Sequence, residues 1–346
     1  MVGPPPESWA VDPERAGAWE IEPGLWQLRM PLPWDTISSV NGFAVVRDDG
    51  IMLVDCGSAG DPTYRDALAN ALAAAGLSLS DVRLLVATHT HSDHVGLAAW
   101  VIEESGCRFL MHPASAHFYE AMREPERIEA ARRARALREG VPDARLADYG
   151  DVREETEGVL EPVDPDEHLL DGMRLPSLLG DWEVLETPGH APSHVCLVQR
   201  ERGLAIVGDL VSRNFAPYLD YGYSPDPVAE LLASYDRVGA IDGIRVGLPG
   251  HGRPLEDLAG AIETYRTGIR GRLEEARTAV SEGPAGAYEM TRRMFGEPTS
   301  DQTAVWLMTE VLCYLKHLRD AGAVVRDENA RGAYSYRLAP AQRGSS

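Results

Sequence analysis

A short apolar strand that ends in a cluster of histidines constrains this chain more than any other sequence feature. The strand, Val82 to Ala87, is followed at once by residues 88–94, which read THTHSDH. Three imidazoles and a carboxylate at one strand end need partners if they are buried, and the imidazoles repel one another if they are protonated. A metal ion supplies that partner, so we favour a metal site here over a solvated histidine-rich loop.

The spacing within this cluster directs its side chains to two positions. His89 and His91 are two residues apart, so from an extended segment they point to the same side. Asp93 and His94 follow where the chain turns into the next helix, which directs them toward a second position. We therefore expect two neighbouring metal ions.

Three further segments also place a ligand-type side chain directly after an apolar strand. They are Glu186 to His190 (ETPGH), Ile206 to Asp209 (IVGD) and Leu248 to Gly252 (LPGHG). Each lies at a turn containing glycine, where strand ends converge and the backbone can come close to a cofactor. A single Gly-His turn is more often structural and a single Gly-Asp is more often a cap, so it is the occurrence of all four segments in order that indicates a metal site.

The alternation of strands and helices predicts an α/β fold. Two runs of strands, each followed by helices, indicate two packed sheets with helices on the outside. We predict a catalytic domain over residues 20–260, with a helical insertion at about 114–170. Residues 261–340 change in character, and helices followed by a strand-turn-strand predict a small C-terminal unit resembling a winged helix.

Composition limits the partners and the cellular compartment. The 346 residues carry 54 acids and 33 bases, a formal charge of -21, which repels nucleic acid and anionic lipid surfaces. The four cysteines contain no CxxC pair, and the N-terminal residues Met1 to Ala10 lack the pattern of a signal peptide. No apolar run is long enough to span a membrane. We expect a cytoplasmic protein that binds neither nucleic acid nor membrane.

The motifs HTHSDH, TPGH, GD and PGHG together resemble the metallo-β-lactamase superfamily of binuclear metallo-hydrolases. The resemblance covers about Gly24 to Leu258 and implies an αββα sandwich with metals at one edge of the sheets. It also implies two divalent ions, zinc first, with iron or manganese as alternatives. The implied ligands are His89, His91 and His190 for one ion, Asp93, His94 and His251 for the other, and Asp209 as a bridge.

The same motifs separate subgroups of this superfamily. Antibiotic-hydrolysing members commonly have a cysteine where Asp209 stands, and flavodiiron proteins typically have a glutamate where His91 stands. The pattern is most similar to hydroxyacylglutathione hydrolases, thioesterases and lactonases. We expect hydrolysis of a small-molecule acyl substrate, a thioester first and a lactone second. A single-iron persulfide dioxygenase, an RNA-processing nuclease and a scaffold protein without activity are the remaining alternatives.

Several residues near these motifs have expected roles in catalysis or support. Asp93 and Asp209 would act in catalysis as well as in metal binding, and Tyr218 and Tyr221 would bind a substrate carbonyl or oxyanion, with plain packing as their alternative. The remaining candidates are Asp55 as support for a ligand or as a turn cap, His194 as a buttress or core histidine, Cys56 as a bystander thiol, and Phe118, Tyr119 and Met122 as pocket walls.

The C-terminal unit raises the question of a nuclease, because winged helices often bind nucleic acid. Its basic residues are offset by acidic ones, so no compact basic surface is expected. We therefore expect this unit to shape the pocket or to form a homodimer contact.

Overall fold

Seven strands form the first sheet in the order of the chain. The computed structural model describes residues 17–34, 37–297 and 300–340. The first four strands form an antiparallel meander, and the next three add in parallel through intervening helices. The strands are β1 (Gly17–Glu22), β2 (Leu25–Pro31), β3 (Ser39–Arg47), β4 (Gly50–Val54), β5 (Val82–Val86), β6 (Arg108–Met111) and β7 (Glu167–His168).

Five strands form the second sheet, in the order β12-β11-β10-β9-β8. All neighbours pair antiparallel except β11 and β12, which are parallel and joined by a helix. The strands are β8 (Arg174–Leu175), β9 (Trp182–Glu186), β10 (Val195–Gln199), β11 (Leu204–Gly208) and β12 (Val246–Pro249).

Helices cover the outer face of each sheet. The helices of the first sheet and its connections are α1 (Thr63–Ala74), α2 (Ser92–Val95) and α3 (Ala98–Ser105), and those of the second are α8 (Pro227–Gly239) and α9 (Leu258–Ser281). Apolar side chains fill the space between the two sheets, among them Val86 and Trp182. The expected αββα sandwich is confirmed, and it brings the ends of strands from both sheets to one edge.

The insertion consists of four separate helices. They are α4 (Ala116–Arg123), α5 (Pro125–Arg138), α6 (Leu146–Gly150) and α7 (Arg153–Gly158). The sequence predicts a helical insertion at about 114–170, and the helices found there are interrupted. The backbone leaves the helical region at Glu124, and Pro125 begins a new helix, where the missing N–H of proline costs no hydrogen bond.

The C-terminal unit consists of two helices and a two-stranded ribbon. They are α10 (Ala287–Phe295), α11 (Asp301–Asp320), β13 (Val324–Glu328) and β14 (Tyr334–Leu338). Their apolar side chains join the core on the outer face of the second sheet, where Leu312 and Tyr336 belong to the same cluster as Tyr235 of α8. The boundary at residue 260 and the winged-helix interpretation stay predictions.

Buried polar contacts join the insertion to the C-terminal unit. Glu139, which follows α5, accepts hydrogen bonds from the Tyr336 hydroxyl at 2.9 Å and from the Ala287 N–H at 3.2 Å. These two groups of helices therefore form one continuous wall.

Across the described ranges, every helix is too short or too polar to cross a bilayer. The segment Met1 to Ala10, interpreted above as lacking a signal peptide, lies outside the described residues.

Candidate metal centre

The four histidine- and aspartate-containing segments meet at one edge of the sandwich. Hydrogen bonds between turns hold them together: the Val195 N–H donates to the Thr88 carbonyl at 2.8 Å, and the Gly250 N–H donates to the Gly208 carbonyl at 2.7 Å. The Gly250 carbonyl in turn accepts from the Asn41 N–H at 2.7 Å. Strand ends from both sheets are thus fixed relative to one another by the backbone.

Three imidazole nitrogens converge at the first position. The Nε2 atoms of His89 and His190 lie 3.2 Å apart, and the Nδ1 atom of His91 lies 3.1 Å from the first and 3.0 Å from the second. Three ring nitrogens that face one another in this way cannot all be satisfied by hydrogen bonds among themselves. A cation that accepts all three lone pairs fits this arrangement.

The second position combines two carboxylates with two imidazoles. Asp93 Oδ2 lies 3.3 Å from His251 Nε2 and 3.6 Å from His94 Nε2. Asp209 places Oδ1 at 3.5 Å from His94 Nε2 and Oδ2 at 3.2 Å from His251 Nε2. Asp209 Oδ2 also lies 3.7 Å from His190 Nε2, so this side chain reaches both positions.

Two buried atoms at the centre have no hydrogen-bond partner among the described residues. They are His94 Nε2 and Asp209 Oδ1. A buried polar atom without a partner costs free energy, and both atoms belong to groups that could hold an ion, with ligand atoms within 4.8 Å of one another. The residues present therefore fit divalent metal ions, and imidazole with carboxylate suits zinc, iron or manganese.

The charges of the second position lead to the same conclusion. Burial alone would lower the pKa of His251, but Asp209 and Asp93 raise it to about 10. Burial would likewise raise the pKa of Asp209, yet His251 and His94 hold it well below its usual range. This half of the site concentrates negative charge that a cation neutralises.

Two of the three rings at the first position are instead held neutral. Burial and the neighbouring imidazoles of His94 and His91 hold the pKa of His89 well below its usual range. Burial and His91 lower the pKa of His190 to about 4. Neutral imidazoles are the form that binds metals, so these two rings are ready to act as ligands at physiological pH.

In three of the ligand histidines, the ring nitrogen that points away from the centre contacts an oxygen atom. His94 Nδ1 lies 2.8 Å from Asp55 Oδ2, His190 Nδ1 lies 3.0 Å from the Tyr218 carbonyl, and His251 Nδ1 lies 2.9 Å from the Ser39 carbonyl. Such contacts fix the tautomer and the ring orientation of a metal-binding histidine.

Asp55 plays both of the roles that the sequence left open. Besides contacting His94, its carboxylate accepts hydrogen bonds from the Thr88 N–H and hydroxyl, both at 2.8 Å. Its φ of 59° makes it the one non-glycine residue with positive φ among those described. Asp55 therefore supports a ligand and also ties its own turn to the histidine cluster.

Asp220 is the main residue that sequence reasoning missed. Its carboxylate oxygens lie 3.2 and 3.3 Å from His91 Nε2, so the ring that faces the other histidines through Nδ1 is held through its opposite nitrogen. His117 Nε2 lies 3.4 Å from the same carboxylate. No local pattern marks Asp220, because it reaches His91 across 129 positions of sequence.

His194 positions Asp209 without joining the ligands. Its Nδ1 lies 2.8 Å from the Thr187 hydroxyl, and its Nε2 accepts a hydrogen bond from the Asp209 N–H at 3.0 Å. Burial holds the pKa of His194 well below its usual range, which keeps the ring neutral and able to accept. Its omission from the ligand set agrees with this geometry.

Cys56 also lies beside the site without taking part in it. The thiol is buried, and its Sγ donates to the His94 carbonyl at 3.3 Å. Burial raises the pKa of this thiol, so the nucleophilic thiolate is disfavoured.

A cavity of about 540 Å³ opens beside His91. Its walls come from the insertion, from the loop after Asp209 and from helix α11. Phe118 lines it, as expected for a pocket wall, and Tyr218 and Tyr221 line it too. Tyr119 and Met122 were expected there and are not among its lining residues; both pack instead into the apolar core between the first sheet and its helices.

The comparisons with known proteins agree with this geometry. The family described as the metallo-beta-lactamase superfamily matches residues 35–263, more than half of the chain. The chain belongs to the metallo-beta-lactamase superfamily. Within that superfamily it is a metallo-hydrolase, and the structure brings all seven expected ligand side chains together.

Two curated relatives are similar to this chain over most of their length. The "Probable metallo-hydrolase YqjP" of Bacillus subtilis is 28% identical over 284 residues, which cover 78% of this chain and 84% of that protein. The "Atrochrysone carboxyl ACP thioesterase" of Aspergillus terreus is 22% identical over 279 residues, 77% of this chain and 70% of that protein.

A solved structure of the superfamily extends the similarity into the C-terminal unit. A metallo-beta-lactamase family protein from Thermus thermophilus superposes with a TM-score of 0.80 at 29% identity. The match covers 92% of this chain and 100% of that one. The elements beyond residue 263 therefore have counterparts in another member.

Proposed function

We propose that this metallo-hydrolase binds two divalent ions, zinc first, and hydrolyses a thioester. The observation that carries the proposal is the position of Asp209, whose carboxylate lies within 3.7 Å of ligand nitrogens from both metal positions. When bound, two such ions supply a hydroxide nucleophile at neutral pH and polarise the carbonyl that it attacks.

The residues of this chain supply the rest of the reaction. Asp209 holds the two positions at a fixed separation, and His194 fixes its backbone. Asp93 Oδ2 lies 3.3 Å from His251 Nε2, where a carboxylate can orient the attacking water and then pass its proton to the leaving thiolate. A thiolate is already a good leaving group, so its departure depends little on this proton transfer.

The cavity supports an acyl substrate of moderate size. Aromatic rings form a ladder that leads away from the metal centre: Tyr218 lies 5.5 Å from the His91 ring, Trp306 lies 6.3 Å from Tyr218, and Trp34 lies 5.7 Å from Trp306. Edge-to-face rings at these distances form a stable apolar surface. We expect the acyl chain to lie along this ladder, with the Tyr218 or Tyr221 hydroxyl near the carbonyl.

The choice of a thioester is supported by the relative from Aspergillus terreus, whose name contains the words "ACP thioesterase". The aspartate at position 209 and the histidine at position 91 agree with the same choice, as argued from the motifs above.

The test is thiol release from acyl-CoA and acyl-glutathione thioesters by the metal-loaded protein. We expect turnover by the native protein, and a loss of at least about 10³-fold in kcat for Asp209→Ala, which removes the side chain shared by both positions. The control is Asp49→Ala, because Asp49 is exposed on a turn remote from the site.

Metal content must be measured on the same samples. A native protein that holds two metal ions and cleaves no thioester would contradict the choice of substrate, and lactones would then be tested first and RNA second. Normal turnover by Asp209→Ala would contradict the two-metal mechanism itself.

A further inference from the structure

Two arginines of helix α5 face the cavity, and they differ in their ion-pair partners. Arg132 and Arg135 are three residues apart, so they lie on one face of the helix, and both line the cavity. Arg132 is neutralised by an ion pair with Glu155 and donates to the Asp151 carbonyl at 2.6 Å. Arg135 makes no ion pair with any carboxylate in the described part of the chain.

The guanidinium of Arg135 is nevertheless held in place. It lies over the ring of Tyr221, with its central carbon 5.5 Å from the ring centroid. Such a cation–π contact orders the side chain and leaves its N–H groups to bind a planar anion. Tyr221 follows Asp220, which holds His91, so this guanidinium belongs to the wall beside the metal centre.

The carboxylates of the same wall are already engaged. Asp220 is held by His91, and Asp151 by Arg153. Asp148 and Asp301 both pair with Arg145. The remaining acid, Glu157, interacts with Arg153. Asp151 raises the pKa of Arg153 most, and Glu157 raises it to a smaller extent.

An arginine without an ion pair at a cavity wall is unexpected in a chain this rich in acidic residues. The chain has 54 acidic residues against 33 basic ones, so a guanidinium at a cavity wall has many possible partners. Arg135 is half-buried and forms no ion pair with a described carboxylate, so an anion that enters the cavity can pair with its guanidinium. The cavity is therefore suited to receive an anion.

We propose that Arg135 binds an anionic group of the substrate, a carboxylate or a phosphate, that is separate from the scissile acyl bond. This inference rests on the function proposed above and narrows it to thioesters whose thiol or acyl part carries such a group. Arginine binds both anions through two parallel N–H bonds, so one residue can fix the position and the orientation of the substrate.

The kinetic test compares anionic and neutral thioesters of the same acyl group. For acyl-CoA or acyl-glutathione, Arg135→Met raises KM on the order of 10- to 100-fold, the value of one or two charge-assisted hydrogen bonds, with little change in kcat. For the neutral N-acetylcysteamine thioester, KM stays unchanged. Arg135→Lys restores part of the affinity because it keeps the charge.

The matched control is Arg127→Met, which removes the same charge from the same helix outside the cavity. We expect Arg127→Met to leave KM and kcat unchanged for acyl-CoA, acyl-glutathione and the N-acetylcysteamine thioester. Equal losses on neutral and anionic thioesters in Arg135→Met would show a structural role for Arg135 and would overturn the inference.

A binding measurement separates this inference from the proposed function. Calorimetry with the metal-loaded protein measures the binding of CoA, which carries phosphates, and of glutathione, which carries carboxylates. We expect one of them to bind, and its affinity to fall on the order of 10- to 100-fold in Arg135→Met but not in Arg127→Met. If the native protein bound neither, or if Arg135→Met bound as well as the native protein, the anion site would be refuted even if thioesters were hydrolysed.

Discussion

A methyl group at Gly250 would occupy space that the metal ligands need. A Cβ atom there would lie 2.1 Å from Asp209 Oδ1 and 2.8 Å from His94 Cε1, whereas such contacts in proteins are not shorter than 3.0 Å. Gly250 is not among the glycines with positive φ, so alanine does not meet the strain of a left-handed backbone there. The substitution Gly250→Ala therefore acts on the site through steric contact alone.

The size of the effect follows from these distances. The Asp209 carboxylate must move by about 0.9 Å, several times the roughly 0.2 Å by which metal–ligand distances vary. The backbone cannot yield easily, because Gly250 is hydrogen-bonded on both sides, to Gly208 and to Asn41. We expect Gly250→Ala to lower the affinity for at least one metal ion by about 100-fold or more, beyond the usual effect of changing a residue behind a ligand.

The assay is metal content after equilibration in a metal buffer. The control is Gly271→Ala in helix α9, where nothing lies within 4 Å of an added Cβ. If Gly250→Ala retained both ions with native affinity and a native circular-dichroism spectrum, then Asp209 would not bind metal in the position described.

Two further perturbations test the support of the site and the energetics of the C-terminal unit. Asp55→Asn would place an amide N–H₂ against His94 Nδ1 or leave Thr88 without its acceptor. We expect this substitution to weaken metal binding by about 10- to 100-fold in a competition titration. Unchanged metal affinity would contradict the role of Asp55. Burial raises the pKa of Glu310 from 4.5 to about 7, although Tyr314 donates to it at 2.5 Å. Below pH 4.5 the folded and unfolded states are both protonated and the burial costs nothing, whereas above pH 7 the folded state is destabilised by about 3 kcal/mol. Glu310→Gln should therefore raise the free energy of unfolding by roughly this amount at pH 8 and leave it unchanged at pH 4, and equal effects at both pH values in urea titrations would refute this assignment.

The sequence predicted best those features that local chemistry determines. Helix α8 begins at Pro227, where Asp226 caps the first turn and proline suits the first position, and both signals are present in the local sequence. The ligand segments were found because each follows an apolar strand and contains glycine. Gly250 shows why glycine is needed there, since the ligands leave no room for a side chain.

Features formed by distant segments could not be predicted in this way. Asp220 and Arg135 have no distinctive neighbours in sequence, and each acquires its place from packing between the insertion and the loop after Asp209. Tyr119 was expected to line the cavity because it is aromatic and lies in the insertion. The orientation of helix α4 instead turns it into the core, where it is almost fully buried.

The metal ligands and the cavity wall are built by different elements of the fold, and this separation affects how substrate specificity can evolve. The ligands project from strand ends that the two sheets hold in place, whereas the cavity wall is built by the insertion and the C-terminal unit, which Glu139 joins. Substitutions in that wall can alter which molecules enter without disturbing the atoms that perform the reaction. Selection for a new substrate can therefore act on the wall while the catalytic centre is inherited intact.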